Sequence, residues 1–313
     1  MSSGRRLPIV WFMVLPSLLV GCRTVDITGR RQLLLVPEAN EMKLGATTFQ
    51  QTIAEESPST NQHYVEMVNR VGQRIAAVAN RPDYDWEFKL IASPTQNAFC
   101  LPGGKVAIYE GILPVCQNEA GLAVVMSHEI AHALARHGGE RMSQGYLVNG
   151  VGTALSVVLQ NQEELLQERV AKAYGLASEY GFVLPYSRKH ESEADHMGLM
   201  LMAKAGYDPS EAPAFWQRFG NAQGPSQPEF LSTHPADERR SQELAELLPD
   251  AVKIYGTVAQ RYGKGEPIGS AGLAQSAPAS SGGGTPAGSA AFAGRQVSHT
   301  EPTCGHGCAG HQH

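Results

Sequence analysis

The sequence has no surplus of basic residues, and this absence excludes one large class of partners. Its 25 Lys and Arg residues are outnumbered by 30 Asp and Glu residues, which gives a formal net charge of -5. Proteins that bind nucleic acids generally carry a basic patch on a basic domain. We therefore expect no nucleic-acid partner.

Apolar runs long enough to cross a bilayer are also lacking near the N-terminus. The run from Leu7 to Val20 is shorter than the roughly 20 residues that a membrane-spanning helix needs, and Pro8 and Pro16 interrupt it. Because Arg5 and Arg6 precede the run, the pattern is typical of an export signal rather than of a membrane helix.

A small residue directly before a cysteine ends this signal. Gly21-Cys22 resembles the bacterial lipobox, in which the cysteine is lipidated and the chain is cut just before it. We expect residues 1–21 to be a lipoprotein signal peptide and residues 22–39 to be a segment anchored through Cys22. An ordinary signal peptide with a chance cysteine is the alternative. Arg23 replaces the Asp that retains lipoproteins at the inner membrane, which favours an outer membrane, with the protein facing the periplasm.

Cysteines are few as well, with five in the chain. Cys100 and Cys116 lie in the middle, and an oxidising compartment would allow a disulfide between them, although the sequence does not give their separation. The remaining cysteines belong to a C-terminal cluster of metal-ligand residue types that could capture zinc or copper, or simply form a solvated tail. This cluster comprises Cys304, His306, Cys308, His311 and His313.

The part of the chain that we expect to fold is residues 40–262. Helical periodicity dominates it, and two alternating segments, beginning at Trp86 and Lys105, predict strands. Residues 263–313 are rich in Gly, Ala, Ser and Pro and predict a disordered tail. The expected class is α+β, mainly helical, with a small sheet.

Within a predicted helix from Glu119 to His137, two histidines share one face. His128 and His132 are four positions apart, so both imidazoles emerge one turn apart and can bind one metal ion. In this HExxH pattern Glu129 is placed to accept a proton from water. His137 is about half a turn off that face, and we do not expect it to be a ligand.

A hydrolytic zinc site needs a third protein ligand. Glu191 and Asp195 are four positions apart on a second predicted helix, whereas Glu193 points the other way. This spacing favours Glu191 as the ligand and Asp195 as the carboxylate that fixes the tautomer of a zinc-bound histidine, His128 in our interpretation. A solvated acidic helix face is the alternative.

Three motifs in this order resemble a known family. The segments SHEIAHALARH, YSRKHESEADHMG and STHPADERR look like the zinc metallopeptidases that include the CAAX prenyl endopeptidase, the HtpX protease, the mitochondrial Oma protease and, nearest in layout, the LoiP- and BepA-like lipoprotein or periplasmic proteases of bacteria. Upstream, NAFCLPGGKVAIYEGIL extends the resemblance over nearly the whole folded part.

The resemblance implies a gluzincin-like metalloprotease domain built around the HExxH helix. It implies one Zn²⁺ on His128, His132 and Glu191, with Glu129 as the general base. It also gives His234 a place at the site, either as a ligand that holds the enzyme inactive or as a donor to the tetrahedral intermediate. Arg239 matches the family arginine that follows this motif.

The function implied is a zinc endopeptidase of the bacterial cell envelope that degrades misfolded or misassembled envelope proteins. The strand from Val106 to Tyr109 would offer an edge on which an extended substrate pairs. Two rivals remain. One is a chaperone or assembly factor with its zinc site closed by His234, and the other is a metal-handling lipoprotein that works through its tail.

The helical-repeat domain of BepA-like proteins has no counterpart in the sequence, and neither do the multiple membrane helices of the prenyl endopeptidase. We therefore expect neither partner docking through helical repeats nor a prenylated substrate.

Overall fold

Helices form most of the protein, and two small sheets complete it. A computed structural model describes residues 22–147, 187–221, 230, 233–234 and 238–269. In addition to a helical segment over residues 137–147, seven α-helices lie within these ranges: α1 Glu38–Glu55, α2 Gln62–Val78, α3 Leu113–Cys116, α4 Glu119–Leu134, α5 Arg188–Lys204, α6 Glu211–Asn221 and α7 Glu238–Thr257. This content confirms the predicted class, α+β and mainly helical.

The larger sheet has three strands: β3 Glu87–Ile91, β4 Ala98–Leu101 and β5 Lys105–Tyr109. The strand order is β3-β5-β4, with β3 parallel and β4 antiparallel to β5. All five residues of β5 are buried. The prediction that Val106 to Tyr109 provides a free edge is therefore wrong, because strands flank β5 on both sides; the edges are β3 and β4.

The N-terminal residues form a hairpin of two short strands, β1 Cys22–Thr24 and β2 Arg31–Leu33. At the turn, the Val25 and Gly29 amides donate to the carbonyls of Arg30 and Val25, at 2.9 and 2.8 Å. Gly29 adopts a φ of 68°, a left-handed conformation that glycine accepts at little cost. The Val25 side chain is buried in the main core, so the hairpin is part of the folded body.

Helix α4 carries HExxH and lies in the core, with every residue from Glu119 to Ala133 buried. Its N-terminal amides, which have no partners within the helix, bond elsewhere. The Asn118 side chain accepts from the Gly121 amide at 2.9 Å, and the carbonyls of Glu266 and Lys264 accept from the amides of Glu119 and Ala120. The C-terminal segment therefore caps this helix.

Helix α5 crosses α4 at very short range. A Cβ placed on Gly198 of α5 would lie 3.0 Å from the backbone nitrogen of His128, so only glycine fits this crossing without a shift. Helix α7 packs on both α5 and α6. This arrangement brings the second and third sequence motifs against the HExxH helix.

The folded part of the chain extends beyond the boundary predicted at residue 263. Residues 263–269 pack on the body, where the Ile268 amide donates to the Gln117 carbonyl at 2.8 Å and the Tyr64 hydroxyl donates to the Gly269 carbonyl at 2.7 Å. Residues 1–21 and 270–313, which include the predicted signal peptide and the Cys/His cluster, lie outside the described residues. Among the described helices, none is both long enough and apolar enough to span a bilayer.

The two core cysteines are free thiols, not a disulfide. Cys100 lies on β4 in the electrostatic neighbourhood of Glu129, whereas Cys116 ends α3 immediately before α4 begins at Glu119. Ten residues of helix separate Glu119 from Glu129, or about 15 Å at 1.5 Å per residue. Cys116 therefore lies at the start of α4 and Cys100 near its C-terminal half, and this separation is the physical reason that they do not pair.

Candidate metal centre

The two histidines of α4 direct their imidazoles at one point. His128 and His132 are 1% and 2% exposed, and their Nε2 atoms lie 3.1 Å apart. The i, i+4 spacing on a continuous helix produces this convergence.

Helix α5 adds a carboxylate to the pair. Its start is fixed by Ser187, whose hydroxyl accepts from the His190 amide at 3.3 Å. Glu191 follows, and its Oε2 and Oε1 lie 3.4 Å from Nε2 of His128 and Nε2 of His132, respectively. Despite burial, which raises it, the pKa of Glu191 is lowered well below its usual value by His234, His128 and His132. The carboxylate is therefore ionised.

His234 completes a cluster of four buried residues whose ligand atoms all lie within 4.8 Å of one another: His128, His132, Glu191 and His234. His234 Nδ1 lies 3.1 Å from Glu191 Oε1 and 3.3 Å from His128 Nε2. Its ring stacks on that of Phe230, with the centroids 4.6 Å apart. The side chain thus occupies the remaining side of the site.

Glu129 lies beside the cluster with one oxygen unused. Its Oε1 is 3.3 Å from His234 Nε2, but this contact lacks hydrogen-bond geometry, and within the described ranges Oε1 has no hydrogen-bond partner. Burial, together with the nearby charge of Glu191, raises the pKa of the Glu129 carboxyl to about 7 against the opposing effects of His234 and Arg240. A carboxyl with a pKa near neutral suits proton transfer.

Asp195 supports the far side of His128. Its Oδ1 lies 3.0 Å from His128 Nδ1, which leaves Nε2 to face the cluster. Burial lowers the pKa of His128, but the contacts with Asp195 and Glu191 outweigh it and raise the pKa above its usual value. The surroundings of His128 therefore favour a positive charge at this point.

The arginine that reaches the site is Arg240, one position after the predicted Arg239. Arg240 is buried, and its Nε and Nη2 donate to Asp195 at 2.7 and 2.8 Å, while Nη1 lies 3.0 Å from Glu191 Oε2. Its guanidinium carbon also lies 3.5 Å from the centre of the Trp216 ring. Arg239 is exposed.

The residues present fit a zinc ion. Imidazole nitrogens and a carboxylate oxygen are the donors that Zn²⁺ prefers in catalytic sites. Burial lowers the pKa of His132 well below its usual value, so its imidazole is neutral, the form that binds a metal. The Nε2 atoms of His128 and His132 lie 3.1 Å apart, and each lies 3.4 Å from an oxygen of the Glu191 carboxylate. One shared cation would satisfy all three groups.

Sequence reasoning missed two residues that adjoin this cluster, His137 and Glu193. His137 Nδ1 lies 2.8 Å from His132 Nδ1, and His137 Nε2 lies 2.9 Å from Glu193 Oε2. The off-face argument for His137 assumed a helix as far as that residue, whereas α4 ends at Leu134 and Arg136 adopts a left-handed φ of 54°. This turn brings His137 back onto His132.

The sequence is similar to those of known proteins. The sequence profile described as Peptidase family M48 matches residues 62–248. The mitochondrial metalloendopeptidase OMA1 of Schizosaccharomyces pombe is 37% identical over 232 residues, which cover 72% of this chain and 66% of the relative. The protein of the same name in Saccharomyces cerevisiae is 34% identical over 250 residues, which cover 73% of this chain and 70% of the relative.

A bacterial relative is similar over a shorter stretch. The beta-barrel assembly-enhancing protease of Escherichia coli is 31% identical over 181 residues, which cover 56% of this chain and 37% of the relative. The chain thus spans just under two thirds of the fission yeast relative and little more than a third of the bacterial one. These matches confirm the predicted zinc metallopeptidase family, and they include both its mitochondrial and its bacterial members.

Proposed function

Since the chain belongs to peptidase family M48, we propose that it is a zinc-dependent endopeptidase. The observation that carries this proposal is the convergence of His128, His132 and Glu191 in one buried cluster. Beside it lies Glu129 Oε1, which has no hydrogen-bond partner among the described residues. A protein that works only by binding has no use for a buried carboxylate poised for proton transfer.

His128, His132 and Glu191 would hold the zinc ion, which supplies Lewis-acid chemistry to water and to the scissile carbonyl. Glu129 Oε1 accepts the proton of the attacking water and passes it to the leaving amine. Asp195 holds the His128 ring so that Nε2 faces the cluster. Arg240, paired with both Glu191 and Asp195, offsets the negative charge collected around the site.

We propose that His234 keeps this site closed until it is displaced. Its Nδ1 lies among the same atoms that would hold the metal, and a neutral imidazole is a competent zinc ligand. Substrate would then enter only after His234 moves. The other role, donation of a hydrogen bond to the tetrahedral intermediate, would need the ring to remain near the site while water binds.

An extended substrate would pair with β4 rather than with β5. In the three-stranded sheet β4 is an edge strand, and it packs against α4. An edge strand offers main-chain donors and acceptors to an incoming chain, which gives affinity with little sequence selectivity. This suits unfolded polypeptides as substrates.

We propose that the protein acts in a bacterial cell envelope, held by a lipid on Cys22 to the outer membrane and facing the periplasm, on misfolded or misassembled envelope proteins. The lipobox-like Gly21-Cys22 supports the anchor, and the similarity to the beta-barrel assembly-enhancing protease of Escherichia coli supports an envelope role. Replacing Cys22 with Ser should release the protein from membranes; persistent attachment of the variant would count against the anchor.

The test of the enzyme proposal is the Glu129→Gln variant, with Glu55→Gln, an exposed change on α1, as the matched control. Loss of a general base should lower the rate of cleavage of an unfolded protein by about 10²- to 10⁴-fold, with zinc content by elemental analysis unchanged. Glu55→Gln should cleave like the wild type. Undiminished cleavage by Glu129→Gln would refute the assigned role.

The second candidate function is a chaperone or assembly factor with a permanently closed site, and the position of His234 within the cluster favours it. If the wild type and His234→Ala both bind zinc and neither cleaves unfolded protein, this function replaces the enzyme. The hypothesis that the protein handles metal through its C-terminal tail is tested by deleting residues 270–313, which leaves the packed segment before them in place. Unchanged zinc content and activity would refute this hypothesis.

A further inference from the structure

We propose that Arg30, on the N-terminal hairpin, is a positioning residue for the metal ligand His132, acting through Glu193 and His137. The inference rests on the proposed zinc site and extends it to a part of the chain that precedes the family match, which begins at residue 62. In this proposal the hairpin helps to orient a ligand of the metal centre.

The first link joins the ligand to a second imidazole. His132 presents Nε2 to the cluster, and its Nδ1 lies 2.8 Å from Nδ1 of His137. A ligating histidine normally donates its other N–H to an acceptor, which fixes the tautomer and the orientation of the ring. His137 Nδ1 must then be the acceptor, so the proton of the neutral His137 ring is on Nε2.

The second link fixes that proton. His137 Nε2 lies 2.9 Å from Oε2 of Glu193, in surroundings where His137 is wholly buried and the Glu193 side chain is 4% exposed. A carboxylate only accepts hydrogen bonds, so it selects the tautomer of His137 that the first link requires. Glu193 can do this only while its own oxygens are held in place.

The third link is the hairpin. Arg30 Nε donates to Glu193 Oε2 at 2.5 Å, and the Thr28 hydroxyl donates to the other oxygen, Oε1. The other two nitrogens of Arg30, Nη1 and Nη2, donate to Oε1 and Oε2 of Glu140 at 2.9 and 2.7 Å. The guanidinium is thus fixed by two carboxylates at once, and it holds Glu193 at a set position.

A second route, through Glu140, joins the same arginine to α5, the helix that also carries Glu193. Glu140 Oε2 lies 3.1 Å from Nε2 of His190, the residue before Glu191, and the His190 ring stacks on that of His137 with the centroids 4.4 Å apart. Arg30 therefore spans the space between residues 137–147 and α5. No other described hairpin residue besides Thr28 and Arg30 contributes a side-chain hydrogen bond to Glu193 or Glu140.

The experiment measures the zinc dissociation constant of the full chain by competition with a chelator. Arg30→Ala should raise it by about 10-fold, the scale for partners that orient metal-binding histidines, and Arg30→Lys, which keeps the charge but not the fork, should recover part of the loss. Arg31→Ala, an exposed arginine on the same hairpin, should bind zinc like the wild type. In the cobalt-substituted protein the visible absorption spectrum should change for Arg30→Ala and not for Arg31→Ala.

The comparison with His132→Ala separates the two levels of the argument. If His132→Ala binds zinc as tightly as the wild type, the proposed zinc site fails and this inference falls with it. If His132→Ala loses zinc while Arg30→Ala keeps both wild-type affinity and the wild-type cobalt spectrum, this inference alone is overturned. Should Arg30→Ala not fold, Thr28→Val, which removes only the hydroxyl contact, must weaken zinc binding for the inference to stand.

Discussion

Replacing Arg240 should cost far more stability than replacing its neighbour Arg239. Arg240 is 3% exposed and pairs with Asp195 through two nitrogens and with Glu191 through a third. Arg240→Met keeps an aliphatic stem against Trp216 but removes the charge. Asp195 and Glu191 are then buried without their cation, and breaking a buried pair in this way costs about 3–5 kcal/mol.

The assay is urea unfolding of the zinc-free protein, so that metal binding does not obscure the ion pairs. With a slope of about 3 kcal/mol per molar urea, the upper end for small proteins, the midpoint should fall by about 1 to 1.7 M. Arg239→Met changes an exposed side chain and should alter the free energy of unfolding by no more than about 0.5 kcal/mol.

A double-mutant cycle tests the stated cause. Once Asp195→Asn has removed the partner's charge, Arg240→Met should cost less, with an interaction free energy of about 0.5–3 kcal/mol. The reasoning is refuted if Arg240→Met and Arg239→Met lower the midpoint equally, or if Asp195→Asn leaves the cost of Arg240→Met unchanged.

Two further predictions concern packing and pH. Gly198→Ala places a methyl group 3.0 Å from the His128 backbone and should lower the free energy of unfolding by about 1–3 kcal/mol. The control Gly138→Ala has nothing within 4 Å of its new Cβ and should be neutral or stabilising by up to about 1 kcal/mol. Equal urea midpoints for the two variants would contradict this account. Burial raises the pKa of Glu140, but His190 and Arg30 outweigh it and hold the pKa at about 2, below the usual 4.5. The stability that this lowered pKa gives is present above pH 4.5 and is lost as the pH falls towards 2. Glu140→Gln should therefore flatten the pH dependence of the urea midpoint in that window. An unchanged curve would argue against the Arg30 and His190 contacts.

The metal ligands were accessible to sequence reasoning because they follow a helix period. His128 and His132 on one helix, and Glu191 and Asp195 on another, obey the four-residue spacing that puts side chains on one face. Such spacing describes neighbours within a helix. It holds only as far as the helix does, and α4 ends at Leu134. His137 is therefore not among the four clustered ligand residues, as expected, but the spacing did not reveal its contact with His132.

The choice between two adjacent arginines could not be made from the sequence. Consecutive helical residues differ by about 100° around the axis, so only one of Arg239 and Arg240 can face the core. Which one does so depends on the rotation of α7 against α5 and α6, and this is decided by packing between helices distant in sequence. The order of the strands in the sheet is a tertiary property of the same kind, so β5 could be predicted as a strand but not as the central one.

The packed C-terminal segment shows why composition alone misplaced the domain boundary. Residues 263–269 begin a tract rich in Gly and Ser, yet main-chain groups carry their contacts to α4. Backbone carbonyls accept hydrogen bonds whatever the side chain. A tract whose side chains resemble a linker can therefore be bound to the body of the protein.

The same segment sets the shortest piece of the chain suitable for recombinant production. A protein that stops at residue 248, where the family match ends, would leave the amides of Glu119 and Ala120 at the head of the HExxH helix without the Glu266 and Lys264 carbonyls. A protein that runs from Cys22 to Gly269 would keep this cap as well as the hairpin that reaches Glu193. The family profile covers only part of the folded chain, and the useful experimental boundaries lie outside it at both ends.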